Sequence, residues 1–94
     1  MKIGIPKERR SGETRVGATP EMVKKLRALG LEIVLESGAG DGSHFYDNSY
    51  REAGAGIGER AAAFGADVVF KVDKPTRDEI RLMKKGAALV CNLD

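Results

Sequence analysis

The chain contains 94 residues, of which 41% are hydrophobic and 32% are charged, a composition typical of one compact domain. Its 16 basic and 14 acidic residues are spread along the chain, and their net charge of +2 excludes the concentrated basic field that nucleic-acid binding requires. The single cysteine, Cys91, excludes an internal disulfide or a cysteine-based zinc site; we expect it to be buried in a strand and in a reducing, cytoplasmic environment. No stretch approaches the roughly 20 apolar residues that a membrane-spanning helix needs, so we expect no direct membrane insertion.

The N-terminal part of the chain predicts a strand, a helix and a second strand. Residues 2–5 form a short apolar run typical of a strand. Thr19 is a suitable helix cap, Pro20 suits the first helical position, and Gly30 is a natural stop. Residues 31–36 predict the second strand. The apolar face of the helix is predicted to contain Met22, Val23, Leu26 and Leu29.

The C-terminal part predicts two small helices, a strand, a helix and a last strand. The small helices are expected from Asp47, as a cap, to Ala53 and from Glu59 to Phe64. The strand is expected over Ala66 to Val72. The pattern Thr-x-x-Glu that begins at Thr76 predicts a capping box and a helix to about Lys85. The last strand is expected over Ala87 to Asn92.

This alternation of strands and helices indicates the fold class. Parallel strands joined by right-handed helical crossovers form a sheet with helices on both faces. We therefore predict an α/β lobe with a parallel sheet. Because the sequence stops just after a strand, residues 1–94 are expected to be a partial domain, incomplete at the C-terminus or completed by another chain.

Two glycine clusters are candidates for a phosphate-binding turn. The cluster at residues 38–43 has Ser43 where the third glycine of the dinucleotide fingerprint belongs. The cluster at residues 54–59 has Glu59 at that position, and helix-like sequence rather than a strand precedes it. We therefore interpret both clusters as tight turns and loops, and we assign no cofactor-binding residue to this chain.

Three polar features are weighed as sites. His44 is the only histidine and follows no metal-site spacing, so a solvated loop is favoured over a metal site. The basic cluster at residues 7–10 is interpreted as a solvated loop. Arg15, between two structured segments, is able to grip a carboxylate at two points, although an ordinary surface arginine is the alternative.

Several ordered segments carry a resemblance to a known family. The first two are specific because their polar residues are not required by a general α/β pattern. The segments are residues 3–8, 13–20, 36–40, 50–55 and 66–72 with Pro75. Together they resemble the N-terminal domain shared by alanine dehydrogenases and the α subunit of proton-translocating nicotinamide nucleotide transhydrogenases.

This resemblance implies a flavodoxin- or Rossmann-like lobe that faces a separate NAD-binding domain across a cleft. It implies that Arg15 matches the arginine that grips the substrate carboxylate in alanine dehydrogenases, so Arg15 is the candidate substrate-binding residue. Those enzymes also have a lysine where this chain has Asp73, followed by Lys74, and a histidine after the fourth strand, where residues 91–94 contain none. An Asp73 carboxylate repels a substrate carboxylate.

We therefore expect the N-terminal lobe of a transhydrogenase α subunit. In the full enzyme it contributes to the NAD(H) cleft for hydride transfer between NAD(H) and NADP(H), coupled to proton translocation. The chain alone is expected to be inactive, since NAD(H) binds mainly outside it. Its expected partners are further copies of itself and the missing NAD-binding domain or other transhydrogenase subunits, at the cytoplasmic face of a membrane complex. The alternatives are the substrate-side lobe of an alanine-dehydrogenase-like oxidoreductase and a non-catalytic, self-associating α/β module.

Overall fold

A computed structural model describes residues 1–91 of the chain. They form one five-stranded parallel sheet, and the predicted α/β fold class is confirmed. The strands are β1 (Lys2–Ile5), β2 (Glu32–Glu36), β3 (Gly56–Gly58), β4 (Val68–Phe70) and β5 (Ala88–Val90). The helices are α1 (Pro20–Ala28), α2 (Asp47–Glu52), α3 (Arg60–Phe64) and α4 (Arg77–Leu82), with a 3-10 turn at Asp41–Ser43.

The strands lie in the order β3-β2-β1-β4-β5, and every pair is parallel. The chain therefore runs from β1 to one edge of the sheet, crosses back, and continues on the other side of β1. Right-handed crossovers in opposite directions place the connecting helices on opposite faces. Accordingly α1 contacts α2, while α3 contacts α4 and packs on β1 and β2.

Local capping signals fix where two helices begin. The Thr19 hydroxyl accepts a hydrogen bond from the Met22 backbone N–H at 3.2 Å, with Pro20 at the first helical position. The Thr76 hydroxyl accepts from the Glu79 N–H at 3.2 Å, and the Glu79 carboxylate accepts from the Thr76 N–H at 2.9 Å. The predicted cap and capping box are confirmed.

Other expected boundaries and faces differ from the structure. Helix α4 ends at Leu82, before the expected Lys85, and Leu29 is 77% exposed although it was predicted on the buried face of α1. Asp47 is the first residue of α2 and not its cap. Its carboxylate instead accepts hydrogen bonds from the Ser37 hydroxyl at 2.6 Å and the Gly38 N–H at 2.9 Å.

The interpretation of residues 54–58 as turns is wrong for the last three of them. Gly56, Ile57 and Gly58 form the edge strand β3, which pairs with β2. The predicted last strand is confirmed at Ala88–Val90, whereas its expected end at Asn92 lies outside the described residues.

The core lies between the sheet and its helices. On the α3 face, a Cβ atom at Gly4 would lie 1.7 Å from the Ala63 carbonyl oxygen, so only glycine lets α3 approach β1 this closely. Tyr50 is fully buried, and its hydroxyl donates a 2.7 Å hydrogen bond to the Ala18 carbonyl. Within residues 1–91 the longest helix, α1, has nine residues, and none of the helices is able to cross a membrane.

Candidate functional site

The candidate site lies where β1 and β4 end. The direction of the chain across the sheet reverses between these two strands, and open α/β sheets bind ligands in the crevice at such a point. Cavities of about 310 and 240 Å³ open here, and Glu8 lines both. The segments that follow β1 and β4 surround them with alternating cations and carboxylates.

A buried ion pair joins the two strand ends. The Lys71 ammonium donates to the Glu8 carboxylate at 2.8 Å, and both side chains are only 2% exposed. The same carboxylate accepts from the backbone N–H groups of Val72 at 2.9 Å and Asp73 at 3.2 Å. Glu8 therefore fixes the course of the segment that leaves β4.

A second carboxylate fixes the other side of the segment after β1. Glu36, the last residue of β2, accepts from the Arg9 guanidinium at both oxygens and from the Lys7 N–H at 2.9 Å. Burial raises the pKa of Glu36, but the hydrogen bond from Arg9 outweighs burial and lowers it overall. The solvated-loop interpretation of residues 7–10 holds for the exposed Lys7, Arg9 and Arg10 and is wrong for the buried Glu8.

Arg15, the predicted substrate-binding residue, lines the smaller cavity. Its guanidinium donates to both oxygens of Glu13 at 2.9 Å, and its backbone N–H donates to Glu13 Oε2 at 2.9 Å. These hydrogen bonds lower the pKa of Glu13 from 4.5 to about 2. The two-point grip expected of Arg15 is thus made to a carboxylate of the same chain.

Asp73 stands at the exit of β4 and lines the larger cavity. Arg10 donates to Asp73 Oδ1 at 3.3 Å, while Oδ2 is buried with no hydrogen-bond partner within residues 1–91. The structure therefore brings Asp73 and Arg15 to the ends of neighbouring segments of one crevice, each with an oppositely charged neighbour.

The remaining candidates lie apart from a built site. His44 is exposed, adopts a left-handed backbone with φ of 62°, and lies 3.2 Å from the Tyr46 hydroxyl. No group of three potential metal-binding side chains occurs in the part of the chain that the structure describes. Cys91 is half-buried just beyond β5, whereas burial in the strand was expected.

Sequence reasoning missed the pairing of Glu8 with Lys71. The available signal was a lysine inside the apolar run of residues 68–72, because a charged residue in a buried strand requires a partner. The partner is 63 residues away, and only the register of β1 against β4 brings it close.

Comparisons with known proteins agree on one family. The family model described as "Alanine dehydrogenase/PNT, N-terminal domain" matches residues 4–94. The chain is 50% identical over 100 residues to an NAD(P) transhydrogenase subunit alpha of Rhodospirillum rubrum, covering 99% of the chain and 26% of that protein. It is 45% identical over 90 residues to alanine dehydrogenase of Staphylococcus epidermidis, covering 95% of the chain and 24% of that protein.

Two solved structures share the fold over 97% of the chain. A transhydrogenase from Sinorhizobium meliloti superposes with a TM-score of 0.91 at 39% identity, and the match covers 27% of that chain. An L-alanine dehydrogenase superposes with a TM-score of 0.93 at 37% identity, and the match covers 26% of it. The chain thus spans about a quarter of the length of these relatives, and it belongs to the family of alanine dehydrogenase/PNT N-terminal domains.

Proposed function

We propose that the chain is the N-terminal lobe of an NAD(P) transhydrogenase α subunit. In the complete enzyme it forms one wall of the NAD(H) cleft, where hydride passes between NAD(H) and NADP(H), coupled to proton translocation. The identity of 50% to the R. rubrum subunit supports this branch of the family.

The observation that carries the proposal is Asp73 at the exit of β4. The resemblance places a lysine here in alanine dehydrogenases, where a cation suits an amino-acid or oxo-acid carboxylate. A carboxylate at the same position repels such a substrate, and the cost grows as water is excluded from the crevice. The adjacent Arg10 holds Asp73 in the crevice at 3.3 Å.

The charges of the crevice support a scaffolding role for this lobe. Lys71 is paired with Glu8, Arg9 with Glu36 and Arg15 with Glu13. A catalytic group needs reach to a substrate, whereas these groups hold the two strand ends together. NAD(H) is therefore bound mainly by residues outside this chain, which alone has no turnover and no useful affinity for NAD(H).

The same role suggests where the lobe assembles. It works at the cytoplasmic face of a membrane complex, with other transhydrogenase subunits as partners. Homo-oligomers form through the half of the sheet that contains β4 and β5, where Leu89 and Val90 are each 38% exposed.

Exchange of this lobe into two relatives tests the proposal. Residues 1–94 replace the aligned segment of the R. rubrum transhydrogenase α subunit in one chimera and that of the S. epidermidis alanine dehydrogenase in another. Hydride transfer from NADPH to an NAD analogue is measured in the first, with its other subunits present, and alanine oxidation in the second. We expect activity in the first and loss of activity in the second; the reverse result would contradict the proposal.

One substitution checks the reason for the choice. Asp73→Lys in the alanine dehydrogenase chimera restores a cation at the exit of β4, so alanine oxidation should rise above that of the unmodified chimera. The control is Asp78→Lys, which makes the same change of charge at an exposed position on α4. An equal effect of both substitutions would show that Asp73 does not select the branch.

Two alternatives remain as second candidates. An alanine-dehydrogenase-like lobe is favoured by Arg15, whose guanidinium already holds a carboxylate at two points. A non-catalytic, self-associating module is favoured by the exposed apolar residues of β5. Calorimetry with NADH and the isolated chain separates both from the main proposal, because saturable micromolar binding would mean that this lobe carries a cofactor site of its own.

A further inference from the structure

Three hydrogen-bond donors converge behind the exit of β4. They are the Lys71 ammonium and the consecutive backbone N–H groups of Val72 and Asp73, at 2.8, 2.9 and 3.2 Å from oxygens of Glu8. Consecutive backbone N–H groups that point to one spot form an anion-binding concavity, and an adjacent ammonium strengthens it. The donors belong to one short segment, whereas the acceptor comes from the other end of the chain.

The distribution of donors over the two oxygens explains why the occupant is a carboxylate. Oε1 accepts from Lys71 and Asp73, and Oε2 accepts from Val72. A carboxamide of the same shape offers one acceptor oxygen, and its NH₂ group would face an N–H donor. Because Lys71 is only 2% exposed, an uncharged occupant would also leave a buried ammonium without a counter-ion.

We propose that residues 71–73 form an anion-binding site selective for carboxylates, and that Glu8 is its resident ligand, supplied by the chain itself. The segment after β1 is thereby docked onto the segment after β4. Glu8 acts as a positioning residue, since its bonds to Val72 and Asp73 set where the Asp73 side chain enters the crevice. This inference is independent of which reaction the complete enzyme performs.

Removal of the tethered ligand tests the site directly. Glu8→Ala leaves the three donors in place and opens a space the size of a small carboxylate. We expect the variant to melt at a lower temperature than the parent chain and to be stabilised by formate. A ligand with a dissociation constant of about 0.1 M, present at about 1 M, raises the folded-to-unfolded ratio roughly tenfold. For a domain of this size that is a rise in melting temperature of roughly 5 to 10 °C.

Three comparisons make the rescue specific. Sodium chloride at the same ionic strength and neutral formamide should not reproduce it, and the parent chain should not respond to formate. Glu8→Ala combined with Lys71→Met should lose it, because the ammonium is gone. Equal stabilisation by formate with and without Lys71, or no stabilisation of Glu8→Ala, would overturn the proposal. If Glu8→Ala is unfolded in chloride, recovery of the folded circular dichroism signal in formate is the supporting result and its absence the opposing one.

Glu8→Gln provides an independent measurement on a variant of unchanged shape. One acceptor oxygen is insufficient for donors that approach both sides of the group, so one of the Val72 and Asp73 amides should lose its protection from hydrogen exchange. The control is the Lys71 amide, which donates to the Val90 carbonyl at 2.8 Å and should keep its protection. Unchanged protection at both Val72 and Asp73 would show that Glu8 does not act as their ligand.

Discussion

Arg15 holds Glu13 with hydrogen bonds from Nε to Oε2 and from Nη2 to Oε1, both at 2.9 Å. The two residues are two positions apart, and the Glu13 side chain is only 8% exposed while that of Arg15 is 52% exposed. The arginine predicted to receive an external carboxylate therefore receives an internal one. An incoming carboxylate has to compete with Glu13 or approach the guanidinium from its exposed side.

The first prediction concerns the pH dependence of stability. The Arg15 hydrogen bond lowers the pKa of Glu13 from 4.5 to about 2. Because the folded-state pKa lies below the unfolded one, this stabilisation is complete above pH 4.5 and is lost as pH falls through about 2. Urea unfolding should show Glu13→Gln less stable than the parent chain near neutral pH, with the difference disappearing in acid. Arg15→Met should abolish the same pH dependence, and a difference that is constant with pH would contradict the assignment.

The second prediction concerns the buried hydroxyl of Tyr50. Tyr50→Phe leaves the buried Ala18 carbonyl without its 2.7 Å donor, so the free energy of unfolding should fall by about 1–3 kcal/mol. Tyr46→Phe is the matched control at a 55% exposed position and should change it by less than about 0.5 kcal/mol. Equal effects in chemical denaturation would mean that the Tyr50 bond contributes nothing.

Tyr50 also gives a prediction in alkali. Burial raises its pKa above the ordinary 10.0, so the folded chain retains this proton when the unfolded chain loses it. The resulting stability is present below pH 10.0 and is lost as pH rises through the higher folded-state pKa. Absorbance titration should show Tyr50 ionising only as the fold is lost. Ionisation of both tyrosines near pH 10.0 in a folded chain would refute this.

The elements that sequence predicts well are those with local signals. Helices α1 and α4 begin where Thr19 and Thr76 cap them, because a cap is formed by residues within one turn. Strand β3 has only Ile57 between two glycines, and it becomes a strand by pairing with β2 across the intervening helix. Such pairing depends on tertiary contacts that a local propensity does not contain.

The candidate site shows the same limit. Arg15 and Asp73 were found because family resemblance marks their positions, whereas Glu8 was assigned to a solvated loop from its charged neighbours. Its burial follows from the parallel pairing of β1 with β4, which brings Lys71 to it over 63 residues. The two internal carboxylate partners of the site, Glu13 and Glu36, likewise become visible only in three dimensions.

The third prediction concerns the contact between α3 and the sheet. Gly4→Ala places a Cβ atom 1.7 Å from the Ala63 carbonyl oxygen, so α3 has to move away and stability should fall by about 3 kcal/mol or more. The control is Gly56→Ala on β3, where the nearest atom to the new Cβ is the Ile33 carbonyl oxygen at 3.7 Å. This change should be neutral or slightly stabilising, by up to about 1 kcal/mol. Comparable losses in both variants would show that the close approach at Gly4 is not what matters.

The last prediction is self-association through the β4–β5 half of the sheet. Gly4 pairs with Val69, so Val68 and Phe70 point away from α3, and their partners Ala88 and Val90 share that face. Parallel sheets are normally covered on both faces, yet all three residues of β5 are exposed.

We therefore expect a dimer or higher oligomer that buries this face. A specific interface covers about 800 Å² on each partner, and apolar burial contributes roughly 25 cal/mol per Å². A charge at its centre should weaken association at least about tenfold, the effect of 1.4 kcal/mol. Sedimentation equilibrium of Val90→Lys should show that shift, with circular dichroism confirming that the variant is folded. Leu29→Lys, at a 77% exposed apolar position after α1, is the control and should associate like the parent chain. A folded parent chain that stays monomeric at high micromolar concentration would show that this face needs no second copy.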